Sequence, residues 1–313
     1  MKSLLRRLGS LFANLTLLLF CTLTVLFFLV RLTGDPATIL SGESADPAVL
    51  SSIRENLGLD RPLWVQYGIF WQNALQLDLG VSWVSGQDAL TLALERLGPT
   101  VTLGLAGLLL NIAIAVPLGA FLGATHDARG ALALAHRSVN SIVVVAQGVP
   151  GYVVALILIQ WLAVDLRLFP STGNVGTGSW VLPALTIAAF LAPKLTKVIA
   201  VNVADALQED YAMIARSQGA RESTVVLRHA LPNAVLGATA LVGTQLAGLV
   251  NGIIITETIF GWPGVGRLLL DSVLLLDFPV VQAVVLVTTV LVYLANWSAD
   301  RAIEIIDPRL AER

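Results

Sequence analysis

The chain has 313 residues, 56% of them hydrophobic and 13% charged, with a formal net charge of −2 and a mean hydropathy of +0.80. Soluble domains carry roughly a quarter charged residues, so this composition exceeds what a water-soluble fold buries and a bilayer is the fitting solvent. The near-neutral charge excludes bulk attraction to nucleic acid, and the lone Cys21 excludes an intrachain disulfide.

Charge-poor runs predict six membrane helices, at 8–30, 97–125, 138–164, 168–193, 230–256 and 278–299. Each supplies the ~20 apolar residues that cross ~30 Å of hydrocarbon. The first run follows Lys2, Arg6 and Arg7, as a signal peptide would. It is longer than the ~7–15-residue core of such a peptide, and Arg31 follows it rather than a small-residue cleavage site, so an uncleaved helix is predicted. The fourth run contains Pro183 and Pro193, and Lys194 and Lys197 mark its end. With the N-terminus inside, thirteen Lys and Arg fall in cytoplasmic segments and six outside. The fold class that follows is an all-α polytopic membrane protein with six transmembrane helices and both termini cytoplasmic. Residues 1–30 form the N-terminus and first span, 31–96 a long outer loop with short helices, and 97–313 the core, including a cytoplasmic loop at 203–233.

In the outer loop, Pro36 and Pro47 punctuate short helices, and Asp46 suits a helix start. Tyr67, Phe70, Trp71 and Leu75 then follow helical spacing. Two readings fit: an interfacial aromatic helix, with Trp64, Trp71 and Trp83 in a belt, or a platform for an extracytoplasmic partner. The periodicity favours the first.

The cytoplasmic stretch beginning DYAMIARSQGARE is basic and amphipathic. Tyr211, Ile214, Ala215 and Gln218 share a face, with Asp210 and Arg216 away from it. Gly219 suits the left-handed residue that closes a helix. A second helix, starting near Ser223 and carrying Arg228, His229 and Leu231, runs toward Pro232, which is expected to separate it from the fifth span. This elbow fits a partner's groove or a lipid headgroup surface. In the fifth span Thr244, Gly248 and Asn251 share a face with Gln245 beside them. They serve either as interhelical glue or as a translocation path. The last outer loop holds Glu257, Phe260, Pro263, Gly264 and Gly266. It forms either a surface turn or an outer gate dipping into the protein. No P-loop, H-E-x-x-H or G-x-S-x-G motif is present, which offers no nucleotide, metal or nucleophile site. His126, His136 and His229 read as solvated.

The elbow resembles the EAA loop of ABC-transporter permeases, patterned E-A-A-x-x-x-G, nine residues, then I-x-L-P. Gly219 takes the glycine, Ala215 the second alanine, and Leu231-Pro232 the closing pair. Met213 stands at the glutamate, Ile214 at the first alanine and His229 at the isoleucine. DYAMIARSQG and RHALPNA are similar to the dipeptide, oligopeptide and nickel branch of that family. So are TGDPA, LGLDRPLWVQY, LDLGVSW, ETIFGWPGVGRLLLDSV and IDPRL, in order along the chain. The resemblance implies a type I importer permease of the bacterial inner membrane that is not itself an enzyme. It implies a second homologous permease, two ATP-binding subunits that hold ATP and Mg, a periplasmic binding protein, and a lipid surround. Residues 210–219 with Leu231 and Pro232 would then couple the ATPases to the spans, and the long outer loop would meet the binding protein. Peptides rank first as substrate, and nickel or a metal–metallophore complex second. Readings from other classes are an ATP-independent secondary transporter or channel, an intramembrane enzyme and a scaffold; the span centres offer no charged relay for the first or catalytic constellation for the second.

Overall fold

A computed structural model describes residues 2–32, 36–41, 46–56, 58–173, 176 and 178–306, with the side chains of 2–8, 10, 39–41, 56, 247, 250, 251 and 302–306 outside that description. Most of TGDPA and IDPRL, and the side chain of Asn251, therefore lie outside the described residues. The helices are α1 (Lys2–Leu32), α2 (Pro36–Ser41), α3 (Pro47–Asn56), α4 (Leu63–Leu75), α5 (Ala89–Ala124), α6 (Ala131–Gly148), α7 (Gly151–Leu158), α8 (Val181–Ala206), α9 (Asp210–Ser217), α10 (Glu222–Thr224), α11 (Leu231–Phe260), α12 (Val265–Leu274) and α13 (Phe278–Ile306). Two π-helical stretches, Ile159–Asp165 and Val225–Ala230, extend α7 and join α10 to α11.

Five helical stretches are long and apolar enough to cross a membrane: Leu11–Leu32, Ala89–Ala124, Val181–Ala206, Glu222–Leu246 and Phe278–Arg301. Two bent pairs bring the total to as many as seven. Ala131–Gly148 meets Gly151–Asp165 at 111°, and Gly252–Phe260 meets Val265–Leu274 at 80°. The charge-free run at 138–164 is thus not one straight rod. Pro150 precedes α7, where its missing N–H costs nothing, and the chain turns there. The fourth expected span shifts from 168–193 to Val181–Ala206. Pro183 falls in the first helical turn, whose N–H groups need no intrahelical acceptor, so it starts the helix instead of breaking it. Lys197, expected near the end of that span, donates to Asn140 Oδ1 on α6.

The described residues fall into two compact units, Met1–Gly98 with Arg267–Tyr293, and Pro99–Gly266 with Leu294–Arg313. Within the first, α4 lies against α1 through aromatic contacts. Phe20 stacks on Trp71 with ring centres 5.0 Å apart, and Phe27 meets Tyr67 at 5.2 Å and Phe70 at 5.3 Å. Thr24 and Tyr67 share a 2.9 Å hydrogen bond, and Arg31 donates to Gln66 Oε1 at 2.8 Å. The aromatic-belt reading of this segment changes accordingly. Trp71 packs on α1 and Trp83 edges onto Phe278 at 5.7 Å, which leaves Trp64 as the exposed one of the three. Asp277 fixes the loop before α5 by accepting from Ser82 Oγ at 2.5 Å and from the Trp83 N–H at 3.0 Å.

In the second unit α8 is the centre, packed along α11 and against α6 and α7. Glycines on α5 admit α8 closely. A Cβ on Gly119 would sit 2.7 Å from Ile199, and one on Gly123 2.6 Å from the Ala200 carbonyl oxygen. Small residues do this work in membranes, where helix association depends on packing and not on escape from water. The interior is aliphatic, with Leu195, Ile199, Val203, Ala230 and Ala234 in one cluster and Leu103, Ile187, Leu249, Ile253 and Trp262 in another.

Candidate functional site

The elbow has the form its sequence predicts at its first helix. Helix α9 ends at Ser217, and Gly219 adopts φ +81°. The Gly219 N–H bonds the Arg216 carbonyl at 2.9 Å and the Ala220 N–H bonds the Ala215 carbonyl at 3.1 Å. That pair of bonds is the Schellman closure, completed by apolar contact among Ala215, Ala220 and Val225. Arg216 ties the two arms. Its Nη2 meets Glu222 Oε1 at 2.7 Å, its Nε meets Oε2 at 3.1 Å, and its Nη1 donates to the Leu207 carbonyl at 2.8 Å. The hydrogen bond to Glu222 holds the Arg216 guanidinium above its ordinary value.

Pro232 does not separate the second arm from the fifth span. The chain runs as helix from Glu222 through Val225–Ala230 into α11, with Pro232 near the start of α11. A π turn shifts the hydrogen bonding by one residue, and this lets the helix absorb the donor that proline lacks. Ala212 and Ala215 are buried, whereas Met213 and Ile214 are more than half exposed. Tyr211, Ile214, Ala215, Gln218, Gly219, Ala220 and His229 surround an open pocket of about 420 Å³. Of the predicted elbow residues, Asp210, Arg216, Arg228, Leu231 and Pro232 lie outside its lining.

The turn after α11 is neither a surface turn nor an open rim. Gly261 takes φ +61° and the chain bends back so that Trp262, Gly264, Val265 and Gly266 are buried. At its centre the Glu257 carboxylate is fully buried. Thr100 Oγ1 donates to Oε1 at 2.6 Å and the Gly266 N–H donates to Oε2 at 2.8 Å. Thr100 also accepts from the Val265 N–H at 2.9 Å, and Trp262 Nε1 donates to the Pro99 carbonyl at 3.0 Å. Phe260 is buried, and its carbonyl accepts from Gly173 at 2.7 Å. Pro263 is half-buried. The sequence shows Glu257 at a span end; its partner Thr100 lies 157 residues away, a distance no local pattern bridges. Any Cβ on Gly264 would overlap the Glu257 carboxylate. Gly264→Ala is therefore expected to lower the thermal midpoint of the detergent-solubilised protein by several degrees, checked by fluorescence-monitored melting.

The fifth-span residues part company. Gln245 is buried; it accepts from Asn111 Nδ2 at 2.9 Å and donates to the Leu191 carbonyl at 3.1 Å, so it ties α5, α8 and α11 together. Thr244 and Gly248 are exposed on the next face. Gly248 lines an apolar cavity of about 270 Å³ together with Gly151, Thr186, Phe190 and Gly252.

Comparison with known proteins decides what this helical assembly is. Residues 115–312 match the model of the binding-protein-dependent transport system inner membrane component, and residues 1–104 match its N-terminal membrane component. The chain belongs to the inner-membrane components of binding-protein-dependent transport systems. The glutathione transport system permease protein GsiC of Pectobacterium atrosepticum is 34% identical over 94% of both chains. That of Escherichia coli O6:H1 is 33% identical over 91% of this chain and 92% of its own. Among solved structures, the MetNI methionine ABC transporter in an inward-facing conformation shares the fold, with a TM-score of 0.57 at 20% identity, covering 69% of this chain and 96% of that one. An amino acid ABC transporter does so at 0.51 and 13%, covering 70% and 94%. The protein is thus a multi-pass permease subunit of an ABC importer in the bacterial inner membrane. It carries no catalysis of its own; ATP hydrolysis and substrate capture fall to the ATPase and binding-protein partners that the family implies.

Proposed function

We propose that this permease passes peptides from a periplasmic binding protein into the cell, driven through its elbow by two cytosolic ATPase subunits, and that it pairs with a second, homologous permease. The observation that carries the coupling role is the closed elbow itself. It offers exposed Met213 and Ile214 beside an open pocket, on α9, which the closed turn and the Arg216–Glu222 pair fasten to an arm helically continuous with a membrane span. An apolar patch of this kind fits a cleft on a partner. A force applied at α9 crosses that closed turn and then travels along the helix from Glu222, where no loop intervenes to absorb it. The six-span topology with both ends cytoplasmic follows if the bent α6–α7 pair crosses once and the α11–α12 bend stays on the outer side; with Lys194 and Lys197 set aside as lying within α8, eleven Lys and Arg against six still support that orientation.

A peptide substrate is supported by the glutathione permeases that this chain resembles along nearly its whole length. The apolar cavity that Gly248 lines suits a path that makes few specific contacts and leaves selection to the binding protein. Ile214→Glu puts a charge on the elbow's exposed apolar face, whose desolvation against an apolar cleft is costly. The variant is expected to insert normally yet to retain less than about a tenth of the wild-type ATPase in copurification, a loss of the size seen when an interface anchor is removed. Full retention of the ATPase would remove the docking role.

A further inference from the structure

We propose that Lys194 receives the carboxylate of an anionic peptide as it crosses the permease, an inference that rests on the peptide reading above. Lys194 stands in the middle of α8, exposed and with no partner among the described residues. Its companion Lys197 is already held by Asn140. Apolar residues flank the two lysines, from Val181 to Ala192 on one side and from Val198 to Val201 on the other. At 1.5 Å per residue Lys194 lies roughly 20 Å from the start of α8 and roughly 18 Å from its end. A four-carbon stem reaches neither end. A bare ammonium against hydrocarbon is costly, and charged groups within spans face a wet cavity or a partner.

The face Lys194 occupies points to the first of these. Phe190, one helical turn before it on the same face, lines the apolar cavity between α7, α8 and α11. The register of the two long helices is fixed by Gln245 on the Leu191 carbonyl and Asn202 on the Ala234 carbonyl. Eleven residues forward on α8 correspond to eleven back on α11, so Lys194 lies level with Val242 and within a turn of the exposed Thr244 hydroxyl. Lys194 and Thr244 thus stand one helical turn beyond the lining residues Phe190 and Gly248, on the elbow side of the cavity. An ammonium offers three donors to a carboxylate, and apolar walls are indifferent to the rest of the solute. A single charge-assisted contact holds an anion long enough to guide it and releases it again, as conduction requires.

The test uses the complete importer, reconstituted in liposomes with its partner permease, ATPases and binding protein, and the probes reduced glutathione and alanyl-glutamate. Uptake is expected to follow the charge at position 194. Lys194→Arg stays near wild type, Lys194→Met and Lys194→Gln fall about tenfold, the size of one charge-assisted hydrogen bond, and Lys194→Glu imports neither probe. The yield of assembled complex and its thermal midpoint stay constant across the series. Lys194→Met importing like wild type overturns the inference, as does Lys194→Arg failing as badly as Lys194→Met, which would mark a demand for shape. Loss of assembly in step with uptake also overturns it and assigns Lys194 to an acid on the partner permease. A wild-type importer that moves neither probe overturns the peptide reading and this inference with it, whereas wild-type uptake that Lys194→Met leaves intact removes this inference alone.

Discussion

Gly219→Asp is expected to abolish import while the permease still reaches the membrane and folds. Two effects of different size meet at this residue. The first is conformational: φ +81° costs an L-residue about 1–2 kcal/mol, and aspartate is among the residues that bear it best. Nothing lies within 4 Å of a Cβ built there, so the variant has room and the elbow closes. The second effect is electrostatic and larger. The new carboxylate enters the open pocket bounded by Tyr211, Ile214 and His229, the surface proposed to seat in the ATPase. Desolvating an unpaired charge there costs several kcal/mol. Gly219→Ala separates the two, since it keeps the strain without the charge and should retain roughly a tenth or more of the import rate. Uptake and substrate-stimulated ATP hydrolysis, normalised to membrane-inserted protein, provide the comparison. Undiminished uptake by Gly219→Asp would disprove the docking role of the elbow.

Glu257→Ala is expected to deplete the folded protein. The change removes the acceptor of the Gly266 N–H and the carboxylate that the Thr100 hydroxyl bonds, in a site where neither meets solvent. A buried donor left unpaired costs about 1–3 kcal/mol, before any cavity term. Such a loss falls on the α11–α12 turn, which Trp262 and Val265 pack from within. Glu257→Gln keeps one acceptor oxygen, and the Thr100 hydroxyl can turn to meet the new amide, so its loss should be the smaller. Yield of monodisperse protein and the thermal midpoint rank the three forms. Equal midpoints for Glu257→Ala and wild type would show that the turn stands without this network.

The spans were legible wherever the sequence pattern and the physical cause coincide. Charge-free runs mark apolar helices, and the Ala215-to-Gly219 spacing marks a helix with its closing turn. Legibility failed where the deciding partner is remote or where a residue serves an unexpected end. Pro183 and Pro193 punctuate the fourth run in the sequence, yet one opens α8 and the other is buried within it. Pro232 reads as a divider, yet a π turn carries the helix past it. Thr244 and Gln245 are adjacent in sequence, but the Asn111 amide, 134 residues away, draws only Gln245 inward. Glu257 gave no local sign of its role as a hub, because the donors that surround it come from α5 and from beyond a tight glycine turn. For Gln245 and Glu257 the missing information is which distant atom closes a hydrogen bond, and helical periodicity holds none of it.

The π turn at Val225–Ala230 sets a limit on exchanging parts between related permeases. Because it accommodates one residue more per turn than an α-helix does, it offsets the angular phase of everything on its elbow side by about 100°. A chimera that grafts a relative's elbow onto this α11 by matching motif letters, without matching that extra residue, would turn the residues at positions 213 and 214 around the helix axis and away from the cleft proposed to seat them. Compatibility between a permease and a foreign motor is therefore a matter of helical phase as much as of which side chains the elbow displays.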